Sequence, residues 1–383
     1  MDNPAGDASR ARFRWLGSGA VGLAAMEQAI GQARHSVDLQ VYIFEDGRAA
    51  RRILQALVAA ATRGVRVRVL VDALGSMSLP AGFFDSLTTR GGQFRAFNPL
   101  HPRRLVYRNH RKALVCDRQL AVVGGFNIAD EYDGDGVNQG WLDLGLEITG
   151  PLVAGIDQAF EQLFARAEFK TASLAWLRRA RESDHLRAGP DELLLSSPGR
   201  NPNPIKRSLL RDLGKANRVC IASAYFLPTW GLRRRLMKRA RAGARVQLLL
   251  PALSDVPLAQ AAGRFLYGRL LRAGVEIREY KPQVLHAKLV IADSAVYIGS
   301  ANFNTRSLHI DYELLVRTID PAIGYQAREW FDASLARARR IRLDDWRRKR
   351  TLMERLWQRF AYFLMARLDP LIARWLWKKP DHG

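Results

Sequence analysis

Two short words in this sequence each set an imidazole, an ammonium group and a carboxylate at fixed intervals. They are His110-Arg111-Lys112-Ala113-Leu114-Val115-Cys116-Asp117 and His286-Ala287-Lys288-Leu289-Val290-Ile291-Ala292-Asp293. Each is followed by a Gly-x-x-Asn word, Gly124 to Asn127 and Gly299 to Asn302. A single His-x-Lys carries almost no information, whereas two His-x-Lys-x4-Asp words with the same sequel, one in each half of the chain, are not a chance pair. On an extended strand, His and Lys two apart face the same side and can reach one ligand. The apolar residues up to each Asp continue a buried strand, and the glycines let backbone and Asn side chains approach closely. Brought together, the two words would offer two imidazoles and two ammonium groups to one phosphate.

This pair of motifs resembles the phospholipase D superfamily, and the resemblance extends from about Leu16 to Ile319. The flanking words RNHRKALVCD, GGFNIADEY, WLDLGLEITGP, LHAKLVIAD and GSANFNTRS are similar to bacterial cardiolipin synthases, particularly the shorter B-type without N-terminal spanning helices. The resemblance implies phosphatidyl transfer through a phosphatidyl-histidine. It assigns His110 as nucleophile and His286 as acid and base, although residue types alone permit the reverse. Lys112 and Lys288 would neutralise charge developing on the phosphate oxygens, with Asn127 and Asn302 as further phosphate-binding donors. Asp143 and Glu313, beyond the Asn of each half, are expected to orient the histidines. Asp117 and Asp293 belong to the signature and are counted with it in the catalytic set, although within it they are expected to serve as structural partners of nearby groups. The two lysines do the work of a cation, so no metal or other cofactor is expected.

The elements that must position these residues form a duplication. The run Ser36–Phe44 reads as a buried strand, Ala49–Arg63 as a helix, and Gly64–Asp72 as a second strand; Arg218–Phe226, a basic helix and Gly243–Pro251 repeat the order. Gly91–Phe97 is echoed by Gly274–Tyr280. The expected fold is α/β: two similar phospholipase D-like half-domains, with mixed, largely parallel sheets flanked by helices and one active site at their interface. The expected divisions are 1–170 for the first half, 171–204 for a linker, 205–335 for the second half and 336–383 for a basic amphipathic helical tail. Arg10, Arg12 and Arg14 before the run Trp15–Met26 superficially resemble an export signal. That run continues at helical spacing through Glu27, Gln28, Ile30 and Ala33, which favours a first domain helix.

With 60 Lys and Arg against 37 Asp and Glu, the net charge is +23, which predicts attraction to a polyanion, either nucleic acid or an anionic bilayer. Cys116 and Cys220 have no metal-ligand spacing and no disulfide framework. In the tail, Leu352, Met353, Leu356, Trp357, Phe360, Phe363 and Leu364 recur at helical spacing among Arg348, Arg355 and Arg359, with a break at Pro370. An interfacial helix is favoured over a packed tail, and no run is long enough to span a membrane. The expected partners are anionic phospholipids, above all phosphatidylglycerol. Peripheral association at the cytoplasmic face of a bacterial inner membrane is expected, with no nucleic acid; the sequence does not fix an oligomeric state. A hydrolytic phospholipase D is the alternative, followed by a superfamily nuclease and, last, an inactive scaffold. Tyr42, Phe44, Tyr225 and Phe226 suit either core or site lining. Arg103, Arg104, Arg108 and Arg111 are expected to attract the anionic substrate. His35, His101, His185 and His382 are expected to be structural, and His309 to lie near the site.

Overall fold

The computed structural model describes residues 10–98, 107–167, 185–198 and 203–368. His101, Arg103, Arg104, His382 and the tail around Pro370 lie outside the described residues. In the first half, seven strands form one sheet: β1 Arg12–Leu16, β2 Ser36–Val41, β3 Arg66–Asp72, β4 Gln93–Phe97, β5 Ala113–Cys116, β6 Leu120–Gly124 and β7 Gly145–Thr149. Their order is β1-β7-β6-β5-β2-β3-β4. The second half uses β8 His185–Ala188, β9 Asp191–Ser196, β10 Arg218–Ser223, β11 Arg245–Pro251, β12 Glu276–Tyr280, β13 Lys288–Ala292, β14 Ala295–Gly299, β15 Glu313–Thr318 and β16 Ala338–Ile341. Their order is β16-β12-β11-β10-β13-β14-β15-β9-β8. Read in reverse, this repeats the first sheet and adds one strand at each edge, which bears out the duplicated α/β architecture.

The sheets are mixed, but parallel pairing is confined to β2-β3-β4 and β10-β11-β12. The expectation of largely parallel sheets is thereby corrected. A parallel neighbour needs a crossover of a dozen or more residues, and only the helix-bearing first part of each repeat supplies one. The motif strands are instead joined by tight hairpins. Cys116 pairs with Leu120, and Ala292 with Ala295, so the first turn holds three residues and the second two. Asp117, Arg118 and Asp293 take positive φ in these turns, a conformation that Asp tolerates better than most residues. The Asp carboxylates also bind the turn to the start of the neighbouring strand, β2 or β10. Asp117 accepts from the N–H groups of Arg34, His35 and Ser36 at 2.7–2.9 Å, and Asp293 from Asn217 and Arg218 at 3.0 and 2.8 Å.

Alternation along the motif strands sorts residues between two cores. Ala113, Val115, Leu289 and Ile291 meet in one cluster where the two sheets face each other, joined by Ile156 and Phe331 from the helices Leu152–Ala167 and Pro321–Ala336. Leu114 and Cys116 turn outward under the helices Gly19–Gln32 and Arg48–Thr62. The second half has its own outer core. Three segments differ from expectation. The run Trp15–Met26 is divided, its first residues ending β1, an edge strand paired with β7. Within 171–204, β8 and β9 extend the second sheet through β15. The stretch 336–383 begins with β16, paired to β12. β1 and β16 are short edge strands, and β9, with its hairpin partner β8 at the edge, joins the sheet through β15; each of these pairings is with a strand distant in sequence, so local pattern did not reveal it.

Candidate active site

Each motif histidine sits just before its strand, on an extended segment that bonds to the opposite half. The His110 N–H donates to the Tyr312 carbonyl at 3.0 Å, and the Tyr312 N–H to the Arg108 carbonyl at 2.9 Å. In the counterpart, the His286 N–H donates to the Leu142 carbonyl at 2.8 Å, and the Leu142 N–H to the Val284 carbonyl at 2.8 Å. The residues after Tyr312 and Leu142 are Glu313 and Asp143, so each carboxylate lands beside the histidine of the other half. His110 Nδ1 lies 3.0 and 3.1 Å from the two carboxylate oxygens of Glu313. His286 Nδ1 lies 2.6 Å from Asp143 Oδ2. The expected orienting carboxylates are therefore in place, and their couples are crossed between the halves. With Nδ1 bound to a carboxylate, each imidazole keeps Nε2 for chemistry.

The lysines repeat the same symmetry. Lys112 Nζ donates to the His110 carbonyl at 2.9 Å, and Lys288 Nζ to the His286 carbonyl at 2.5 Å. Lys288 Nζ also lies 2.7 and 3.1 Å from the two ring nitrogens of His286. Burial dominates the electrostatics. It lowers Lys112 to about 7, aided by Lys288, and Lys288 to about 8 against the pull of Asp143 and Glu313. It lowers His110 as well, and takes His286 to about 4 with the help of Lys288. Burial would raise Asp143 and Glu313, but the facing lysines and histidines outweigh it and both carboxyls are lowered. The site thus favours neutral imidazoles and ionised carboxylates, with lysines poised to release their protons near neutrality.

Around this centre several side chains take roles other than those expected from the sequence. Asn127 is not a free phosphate donor, because its Oδ1 accepts from the Ile43 N–H at 3.1 Å and its Nδ2 donates to the Tyr132 hydroxyl at 2.7 Å. Asn302 is buried, and the atom left unpartnered among the described residues is its Oδ1, an acceptor suited to a hydroxyl and not to a phosphate oxygen. Asp117 and Asp293 stay in their hairpin turns, outside the site, as their expected structural role requires. Arg111 is wholly buried and donates to the carbonyls of Ser196 and Glu313, at 3.1 and 3.3 Å. Arg108 is buried against Asp72 at 3.2 Å. Both arginines tie elements together and do not face an incoming anion. Phe44 and Phe226 are core. Tyr42 and Tyr225 line the site, with ring centroids 5.1 Å from His110 and 6.5 Å from His286. His35 and His185 have structural settings, in the Asp117 turn and against Glu192 respectively. His309 faces Lys206 at 3.4 Å.

Four residues had no role read from sequence. Ser300 donates to Glu313, while Gly125, at the equivalent position, leaves room for Asp143. Tyr132 and Trp141 pack against His286, with ring centroids 5.1 and 5.5 Å away. Gly125, Ser300 and Tyr132 lie in or just after the two Gly-x-x-Asn words and Trp141 opens the word WLDLGLEITGP, so the similarity of these words to known sequences was the available signal. Both cysteines are buried, and burial pushes the Cys116 thiol up to about 12. Asp38, Asp157 and Glu161 approach one another closely enough for a cation, but Arg66, Arg68 and Arg118 already pair with them.

Two α/β halves that share one site through paired His-x-Lys words define a phospholipase D-like protein. Residues 26–163 and 209–335 match the family model described as cardiolipin synthase, PLD-like domain. Cardiolipin synthase A of Pseudomonas fluorescens is 31% identical over 90% of this chain and 72% of its own length. Cardiolipin synthase B of Shigella flexneri is 31% identical over 82% of this chain and 77% of its own. Among solved structures, the phosphatidylserine synthase of Haemophilus influenzae Rd KW20 superposes with a TM-score of 0.75 at 15% identity, covering 94% of each chain, a likeness of fold. The chain belongs to the cardiolipin synthase family of phospholipase D-like enzymes.

Proposed function

We propose that this enzyme makes cardiolipin by moving a phosphatidyl group from one phosphatidylglycerol to a hydroxyl of a second, releasing glycerol. The observation that carries this reading is the crossed pair of carboxylate–imidazole couples beside two buried lysines. In the first step, Nε2 of neutral His110 attacks the phosphorus of the donor lipid. A P–N bond forms as the bond from phosphorus to the glycerol oxygen breaks, and His286 gives the Nε2 proton to that oxygen. In the second step, the hydroxyl oxygen of the acceptor attacks phosphorus while its proton passes to His286; the P–N bond breaks and frees His110. Lys112 and Lys288 hold the charge that builds on the non-bridging oxygens. A bound phosphodiester anion favours protonation of His286, so the substrate itself arms the acid. Incubating the full chain with phosphatidylglycerol vesicles and analysing the lipids by mass spectrometry tests this. Cardiolipin and free glycerol, absent with His110→Ala, are expected. Phosphatidic acid alone would make the enzyme a hydrolase, and no lipid turnover would overturn the reading.

The substrate dictates a bilayer partner, and the helix Leu352–Phe363 offers a face for it. Ala361 and Gln358 are buried against the body, and the Tyr362 hydroxyl accepts from Arg233 at 3.0 Å. On the opposite side Leu352, Met353, Leu356, Trp357, Phe360 and Phe363 are each more than half exposed. Arg355 and Arg359 flank them, a pattern suited to lying in an anionic interface. Among the described residues no helix is long and apolar enough to cross a membrane. The exposed apolar face of this helix, flanked by arginines, supports peripheral association, and the reading we adopt puts it at the cytoplasmic face of a bacterial inner membrane. Cosedimentation should show binding to vesicles containing phosphatidylglycerol. Replacing Trp357, Phe360 and Phe363 together by Ser should weaken binding at least about tenfold, since each buried aromatic side chain contributes roughly 1.5–3 kcal/mol; unchanged binding would remove this helix from the interface.

A further inference from the structure

Judged by their carboxylates, the two histidines are equivalent, and something else must give them different tasks. The halves differ at the fifth residue after the Asn: Tyr132 follows Asn127, whereas Ser307 follows Asn302. Tyr132 is wholly buried. Its phenol oxygen accepts from Asn127 Nδ2 at 2.7 Å, and the Asn127 amide is held in that orientation because its Oδ1 accepts from the Ile43 N–H. The phenol proton is then directed at the acceptor it meets, Nε2 of His286, 3.5 Å away. Trp141 packs edge-on against Tyr132 at 4.9 Å and holds the ring in place. In the other half, Ser307 Oγ accepts from the Asn302 N–H at 3.2 Å, and among the described residues no hydroxyl is bonded to Nε2 of His110.

We propose that Tyr132 is a positioning residue that reserves His286 for proton transfer: its hydroxyl donates to Nε2 of the resting imidazole, leaving His110 as the ring that presents a lone pair to phosphorus. The assignment of tasks rests on the phosphatidyl-transfer reading; the hydrogen bond itself does not. At 3.5 Å the bond is at the long limit for such contacts, so a substrate oxygen can take its place when the acid is needed. The other charged or titratable groups facing His286 are Asp143 at Nδ1, Asp255, which accepts from Tyr225, and Lys288, whose Nζ lies 2.7 Å from Nδ1 and 3.1 Å from Nε2 and, being this close to both, does not lie along the in-plane lone pair of Nε2. None of them offers a donor hydroxyl to Nε2. A donor to the lone pair stabilises only the neutral ring, so its loss must raise the protonation midpoint.

The test is nitrogen NMR of the full chain carrying 15N-labelled histidine, with His286 assigned through His286→Gln. In Tyr132→Phe the Nε2 resonance of His286 should move downfield at neutral pH, as an acceptor nitrogen does on losing its donor. Its titration midpoint should rise by about half to one pH unit, and His110 should stay unchanged. With 3-fluorotyrosine at position 132, a stronger donor of nearly the same shape, the resonance should move upfield instead. Resonances unmoved in both variants would overturn the proposal. The lipid assay is separate: a wild-type enzyme that turns over no lipid would sink the transfer reading, while the NMR shifts would still decide whether Tyr132 holds His286.

Discussion

Two carboxylates of different length hold the two histidines, and the residue beneath each compensates for the difference. Glu313 reaches further and is steadied by the Ser300 hydroxyl. Asp143 is shorter, and a Cβ on Gly125 would stand 2.2 Å from its Oδ1, so only glycine lets it come close enough to His286. Gly125→Ser should therefore displace Asp143 and lower the transfer rate by two to four orders of magnitude. Ser300→Ala removes one donor and should cost about tenfold. Steady-state rates on phosphatidylglycerol vesicles, with near-ultraviolet circular dichroism to verify folding, would check both; equal small effects would refute the close-approach argument. The lysines add a pH signature. Burial takes Lys112 to about 7 and Lys288 to about 8, so each loses its charge as pH rises through those values. Since kcat/KM reports the free enzyme, it should decline above about pH 7–8, and a profile flat to pH 10 would contradict this.

The element that positions each histidine–lysine pair is a hairpin closed by an Asp. The carboxylate of Asp117 collects three backbone N–H groups, and that of Asp293 two different ones. These bonds fix the motif strand against β2 or β10, several residues from the histidine. Asp117→Ala should thus act on stability, by about 1–3 kcal/mol for donors left without a partner, measured by urea unfolding. Activity per folded molecule should fall far less than in His110→Ala. The signature thus joins two kinds of residue, chemical at its start and architectural at its end.

Across the whole molecule, burying the site makes folding depend on pH. The folded His286 pKa is depressed to about 4 from an ordinary 6.5, so between these values the unfolded chain binds a proton that the folded one refuses. Stability contributed by keeping this ring neutral is present above about pH 6.5 and is lost as pH falls toward 4. Thermal melts over that window should show a shallower loss for His286→Gln than for the wild type; parallel curves would argue against a neutral buried ring.

The sequence by itself determined the duplicated α/β plan and the family, because these rest on local periodicity and fixed spacing, and the same spacing singled out the two histidines and lysines proposed for the chemistry and a structural place for the motif aspartates. It also picked out Asp143 and Glu313, but not that each serves the histidine of the other half. Only the tertiary structure decided that crossing, since it depends on the bridges from Tyr312 to Arg108 and from Leu142 to Val284, between segments far apart in the chain. The same holds for Arg108 and Arg111, which local charge suggested would face an anion and which packing buried, and for β1, β9 and β16, whose partners β7, β15 and β12 lie far along the chain. Residue types and spacing state which groups are available; which of them face one another is settled when the two sheets close.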